Sequence, residues 1–446
     1  MRIIIVGGGE IGFALSKTLA GSHEVFVIDQ AASVASRFES LDVQFVRGSG
    51  SDPDVLERAA IARADVLVAC TGLDEVNIVA CAVARQLGAP RAFCFVSREE
   101  FLELHEQKGL AMFGIERVIW PEAQLAADIE RIIRVPGALD AETFADGAIQ
   151  LVEYRLDASS AIAGHRIADL HLAHGALIVA VRRGEAFFIP RGDSELAHGD
   201  RIVVVGTPDG LRDVARRVTT AADGARQRVA IVGGGDVGLR LAERLDAADA
   251  ADVTIIERSP ERGEMIAAQL RRALVLNGDG TDLELLESED IGRSDVLVSV
   301  IDNDERNLFA SLLARQLGVR RIITRVSRAA NLRLFERVGI DVAISARGAA
   351  VASVLHQIQG GTTRLLALVE QGAGRILELD VPEGYASRAL RDLAPPHNSI
   401  VGAIVRPSEA IVPRGADRIE PGDRLIVFTT HDAADRVRNY FSHVSA

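Results

Sequence analysis

The sequence predicts an α/β protein, with two doubly wound parallel-sheet Rossmann domains, each followed by a small α+β module. Three observations carry this reading. Short apolar strand patterns alternate with helical ones. A glycine-rich turn, Gly7-Gly8-Gly9-Glu10-Ile11-Gly12, directly follows the first strand pattern. The whole arrangement then returns once. The turn recurs as Gly233-Gly234-Gly235-Asp236-Val237-Gly238, and Arg85-Gln86-Leu87-Gly88 as Arg315-Gln316-Leu317-Gly318. Likewise Pro190-Arg191-Gly192 and Gly199-Asp200-Arg201 recur as Pro413-Arg414-Gly415 and Gly422-Asp423-Arg424. The offset drifts between 223 and 230 residues, as short loop insertions produce. One unit of roughly 220 residues is therefore used twice, joined through the polar stretch 219–227.

The elements of the first unit follow in order. Residues 3–6 form a buried strand and 11–19 a helix. Strand patterns follow at 25–28, 44–46, 66–69 and 91–96, with helical spacing at 34–41, 55–60, 76–87 and 101–108. Residues 118–119 close the sheet. A helix then runs from Pro121, well placed in a first turn, to about 133, and Val135-Pro136-Gly137 ends it. Its Leu125, Ile129 and Ile132 share one face. After it come strands at 151–156, 177–182 and 201–205 and a short helix at 162–170. The domains expected are thus 1–135 and 227–360 (Rossmann) and 136–220 and 361–446 (small modules). A core of 70–80 residues is marginal alone, so each module should pack on a neighbour or dimerise.

Composition narrows the function. The chain of 446 residues carries 63 acids against 50 bases, a net charge of −13, which argues against nucleic-acid binding. No apolar run approaches ~18 residues, so no transmembrane helix is expected. Cys70, Cys81 and Cys94 lie in apolar patterns without a C-x-x-C pair and read as small core residues.

The glycine loops point to a nucleotide. Gly7 permits the tight turn, Gly9 lets the backbone approach a pyrophosphate, and Gly12 lets the helix pack against the strand. The helix N-terminus then presents free N–H donors to phosphate. The second strand ends in Asp29, whose carboxylate can accept from both ribose hydroxyls. Glu257 takes that place in the second copy. Both acids would repel a 2′-phosphate, which disfavours NADP and leaves NAD, NADH, ADP and ATP. Other strand ends should line the same crevices. These are Gly48, Thr71, Gly72 and Arg98 in the first copy, and Gly278, Asp279 and Arg328 in the second.

Catalytic groups are missing. None of Tyr154, Tyr385 and Tyr440 is followed four residues on by lysine, and the only lysines are Lys17 and Lys108. There is no nucleophile elbow and no Walker lysine. His171 and His174 could bind a metal only if helical; the expectation is no metal site and no enzyme. An NAD-dependent dehydrogenase is the catalytic alternative.

At this point the residues resemble RCK (KTN) domains. The resemblance rests on the glycine loop, Asp29, the Gly48 loop, Thr71-Gly72 with Asp74-Glu75-x-Asn77, Pro136-Gly137-Ala138 and the Gly199-Asp200 module. Asp304-Glu305-x-Asn307 repeats the signature, and Gly360-Gly361 sits near the second junction. Arg325 fits the arginine frequent in the family's fifth strand; Phe95 stands there in the first half. The tandem arrangement without a channel segment is similar to the regulatory subunits of bacterial Trk potassium uptake. The resemblance implies a cytoplasmic regulator, peripheral on the inner face of the membrane. Its partner would be a potassium transporter of TrkH or TrkG type, or alternatively another cation channel or antiporter. It also implies that Rossmann domains pair through helices around 121–133 and 349–359, in a homo-oligomer expected to be a tetramer.

Overall fold

The computed structural model describes all residues except 22, 159, 173, 220–225, 250, 329–330, 359–362, 370–372 and 443–446. Most of the expected join and the Gly360-Gly361 pair therefore lie outside the described residues.

The first unit runs β1 (Arg2–Val6), α1 (Glu10–Leu19), β2 (Glu24–Asp29), α2 (Ala32–Ala35), β3 (Gln44–Arg47), α3 (Pro53–Arg58), β4 (Val66–Ala69), α4 (Asp74–Gln86), β5 (Ala92–Phe95), α5 (Glu99–Glu106), β6 (Arg117–Ile119) and α6 (Pro121–Arg134). Its six strands are parallel in the order β3-β2-β1-β4-β5-β6, so the direction of winding reverses between β1 and β4. Val6 pairs level with Ile28 and Ala69, which brings three strand ends together at that reversal. In open α/β sheets ligands bind at this point.

The first module follows with β7 (Ala138–Phe144), β8 (Ile149–Arg155), β9 (Ala176–Arg183), β10 (Ala186–Phe188), β11 (Arg201–Gly206) and α7 (Pro208–Val218). Its sheet is antiparallel in the order β10-β9-β11-β8-β7. β7 and α7 had no clear sequence signal, because β7 alternates apolar with acidic residues. The helix expected at 162–170 is only a 3-10 turn, Ile167–Leu170. It ends on left-handed backbone at His171 (φ 44°), so His171 and His174 do not share a helix face.

The second unit repeats the plan: β12 (Gln227–Val232), α8 (Asp236–Ala247), β13 (Ala251–Glu257), α9 (Pro260–Gln269), β14 (Leu274–Asn277), α10 (Leu283–Ser288), β15 (Val296–Ser299), α11 (Asp304–Gln316), β16 (Arg321–Arg325), α12 (Leu332–Arg337), β17 (Val342–Ile344) and α13 (Ala346–Ile358). The sheet order is β14-β13-β12-β15-β16-β17. The second module comprises β18 (Thr363–Val369), β19 (Gly374–Asp380), β20 (Arg388–Ala389), β21 (Ser399–Val405), β22 (Ala410–Ile411), β23 (Arg418–Ile419), β24 (Arg424–Thr430) and α14 (Ala434–Ser442).

The last helix of each Rossmann unit crosses to the other. Leu125, Ala126, Ile129, Ile132 and Ile133 of α6 share one core with Val229, Ile231, Leu241 and Leu245 of the second unit. Ala350, Val354, Leu355 and Ile358 of α13 share another with Ile3, Ile5, Leu15 and Leu19 of the first. Each large side chain so buried stabilises the pairing by about 1.5–3 kcal/mol. Two pseudo-equivalent arginines hold the helix ends. Arg321 donates to the carbonyls of Ile132 (3.0 Å), Val135 (3.3 Å) and Ala138. Arg91 donates to that of Gln357 (3.0 Å). A cation at a helix C-terminus also opposes the helix dipole favourably. The helix pairing read from sequence is thus present, but it joins the two halves of one chain rather than separate chains. The small modules pack on each other as expected: Ile149, Val203 and Val205 meet Ile376, Val405 and Phe428 in one core.

Candidate nucleotide-binding crevices

Each glycine loop leaves the centre of its sheet as the sequence requires. Gly7 and Gly233 adopt φ of 107° and 105°, left-handed backbone that a side chain would strain. A Cβ on Gly12 would lie 1.8 Å from the Gly7 carbonyl oxygen, and one on Gly238 1.9 Å from that of Gly233. Only glycine lets the helix start so close to the turn. At Gly9 and Gly235 a Cβ would meet nothing within 4 Å. That open space over the first N–H groups of α1 and α8 fits a pyrophosphate.

The two ribose candidates are held alike. Asp29 accepts from Gly8 N–H (2.7 Å) and Ala31 N–H (2.8 Å), one on each oxygen. Glu257 accepts from Gly234 N–H and Ser259 N–H, both at 2.8 Å. Each carboxylate is fixed against its glycine loop and keeps lone pairs for two hydroxyls.

The other sequence candidates divide by what they touch. A Cβ on Gly48 would lie 2.5 Å from Val55, and one on Gly278 2.4 Å from Leu285, so close packing of the next helix already dictates both glycines. Thr71 donates through N–H (2.9 Å) and hydroxyl (2.7 Å) to Asn77 Oδ1, while Gly72 stays open. Arg98 pairs with Glu75 (2.5 Å) and lies over the Phe101 ring (4.5 Å). Asp279 is taken by Thr281 (2.7 Å) and Arg306 (2.7 Å). Val237 is buried against the α6 core. Ile11, Arg325 and Arg328 line a cavity of about 390 Å³ between the two units, with Glu122, Asp302 and Arg347.

The acid-x-x-Asn signatures have a visible structural role. Asn77 donates to the carbonyls of Thr71 (3.1 Å) and Phe95 (3.0 Å), and Asp74 accepts from Ser97 N–H (3.0 Å). Asn307 likewise donates to Ile301 O (2.7 Å) and Arg325 O (3.0 Å), and Asp304 accepts from Ser327 N–H (2.7 Å) and Asn331 (2.8 Å). These clips fasten the loop after the fourth strand to the end of the fifth and so shape the crevice wall. Burial raises the Asp304 carboxyl, but these hydrogen bonds outweigh it and hold it below the usual carboxylate value.

Two arginines that no sequence signal marked reach the glycine-loop acids. Arg262 of α9 donates to Gly234 O (2.9 Å) and to Asp236 (3.3 Å) within its own unit. Arg347, in the first turn of α13, pairs with Glu10 in the opposite unit. The sequence separates Arg347 from Glu10 by 337 residues, and only the crossing of α13 brings them together. The Cys70 thiol lies beneath the first glycine loop and donates to Gly7 O (3.6 Å); burial pushes it up to about 12.

Comparison with known proteins places the chain. The family models for the TrkA-N domain match residues 3–121 and 229–346, and those for the TrkA-C domain 151–219 and 376–442. The chain belongs to the TrkA family. It is 37% identical to "Trk system potassium uptake protein TrkA homolog 1" of Methanosarcina mazei, over 99% of this chain and 100% of that protein. It is 35% identical to the TrkA homolog of Archaeoglobus fulgidus, over 99% and 100%. With the TrkA of Vibrio alginolyticus it shares 30% over 100% and 98%. Among solved structures, the GsuK RCK domain superposes with a TM-score of 0.59 at 21% identity, covering 98% of this chain and 95% of that one. The GsuK channel bound to NAD gives 0.61 at 21%, covering 99% and 79%. Both crevices therefore sit in RCK-fold domains of a Trk-type potassium-transport protein. Among the described residues no helix is long and apolar enough to cross a membrane.

Proposed function

We propose that this TrkA-family chain is a non-catalytic regulatory subunit. It binds NAD(H) or ADP/ATP in its two crevices and gates a membrane potassium-uptake protein of TrkH or TrkG type from the cytoplasmic face. The observation that carries this reading is the repeated cradle: open backbone at Gly9 and Gly235, each facing a fixed carboxylate, Asp29 or Glu257. The channel of the same fold that is bound to NAD supports the choice of ligand. Names of the full-length relatives support the transport role. A nucleotide gates only through its different affinity for two arrangements of the subunit. Helices that cross between the units supply a coupling, since each crevice borders a helix anchored in the other half. As a soluble ring, most simply a homotetramer, the assembly would transmit that change to the transporter.

Calorimetric titration with NADH, NADPH, ADP and ATP tests the ligand. NADH should bind well ahead of NADPH, because a 2′-phosphate would face Asp29 or Glu257; equal affinities would overturn the ribose assignment. Nucleotide-dependent potassium flux through the co-reconstituted transporter tests the gating.

A further inference from the structure

Both glycine loops carry an acid in the phosphate-facing first turn of their helix, Glu10 in α1 and Asp236 in α8. A carboxylate there repels a bound diphosphate, so each crevice must neutralise it. The second crevice does so internally: Arg262 spans Gly234 O and Asp236. The first crevice has no arginine at the matching place on its own short α2, where residues 32–35 read Ala-Ser-Val-Ala. Its Glu10 is met instead by Arg347 from the second unit, which also donates to Ser327 O (2.9 Å) in the loop just after β16. The corresponding first-turn residue of the other crossing helix, α6, is Glu122, an acid that feels the charge of Asp236 in the second glycine loop. The two crevices thus meet the same electrostatic demand with arginines of different origin.

We propose that Arg347 is a phosphate ligand supplied by the second unit to the first crevice alone, so that a nucleotide there, and not in the second crevice, fixes the first unit against α13. A guanidinium released from Glu10 presents a planar fork that suits phosphate oxygens. The half-exposed pair (45% and 51%) leaves room for that exchange. Ser327 O joins the guanidinium to the loop just after β16, so a phosphate taken up by Arg347 would be tied to that loop of the second unit as well as to α13. This inference rests on the nucleotide reading above.

The test uses the full chain with one crevice disabled at a time. Gly235→Val leaves only the first crevice, and Gly9→Val only the second; neither position has a neighbour for the new side chain to strike. ADP is the probe. In the Gly235→Val background, Arg347→Gln should weaken ADP about ten- to hundredfold, the scale of a lost hydrogen bond to a charged group. Arg347→Lys should recover part of the loss. In the Gly9→Val background Arg347→Gln should leave ADP affinity unchanged, while Arg262→Gln should weaken it. Hydrogen exchange adds a readout that mere packing would not move: ADP should protect residues 346–350 in the Gly235→Val chain and not in its Arg347→Gln derivative. Unchanged ADP affinity on Arg347→Gln in the first crevice, or a loss confined to the second, would overturn the inference alone. Binding of neither ADP nor NADH by the unsubstituted chain would overturn the nucleotide reading and this inference with it.

Discussion

Asp304 shows how one carboxylate can shape a site without touching a ligand. Its hydrogen bonds from Ser327 and Asn331 hold the loops after β15 and β16 together and favour the ionised form. A carboxylate with a lowered pKa lends stability that is complete above its ordinary value, 3.8, and lost as the pH falls through the lowered one. Asp304→Asn should therefore lower stability at neutral pH by about 1–3 kcal/mol. It should also flatten the acid limb of the stability–pH curve; urea unfolding at several pH values measures both. An unchanged acid limb would mean the clip contributes nothing. The repeated Gly-Asp-Arg turn has a comparable origin. Buried Asp200 accepts two bonds from Arg183 (2.8 and 2.7 Å), as Asp423 does from Arg406 (2.9 and 3.2 Å). Sequence could mark these residues because they repeat, yet a repeat does not say whether a residue is kept for packing or for ligand. Asp29 and Glu257 were legible because a strand end and a glycine loop fix their place. Arg347 was not, because its partner is set by tertiary crossing.

Among the elements, strands and helices of the Rossmann units were readable from period alone, since buried parallel strands are continuous apolar runs bounded by turns. β7 escaped because its acidic positions interrupt the pattern, and the residues of α7 were assigned no element from sequence. The apolar stripe of α6 was visible, but its target was not. A stripe specifies that a face is covered and leaves open by what. The structure covers Leu125 and Ile129 with α8 and the second sheet. Ile129→Asp should therefore act on the chain itself. An unpaired charge in that core lowers stability by more than about 4 kcal/mol, and denaturant unfolding should show the loss at any protein concentration. If the variant instead kept its stability and changed only its oligomeric state, α6 would belong to a contact between chains.

At the scale of the molecule, two paired Rossmann units stand beside two paired modules, and apolar residues remain on the outer helices of both units. Phe309 (51% exposed) and Leu312 lie on α11, with Val79 at the matching place on α4. Leu334 of α12 matches Leu104 of α5. Apolar surface so repeated suits contact with further copies. Light scattering should find a tetramer, and Phe309→Glu should dissociate it while leaving the monomer folded. A strictly monomeric parent, with and without nucleotide, would count against a gating ring. The helix exchange also bears on how the chain is made. The first sheet leaves the ribosome with one face covered only in part, by α1 and Phe38, and α13, which completes that cover, follows more than two hundred residues later. At 5–20 residues per second that interval is roughly 10–50 s. During it the nascent first half must be sheltered, and a transcript that stops short of α13 leaves a half-molecule whose natural fate is chaperone capture or proteolysis.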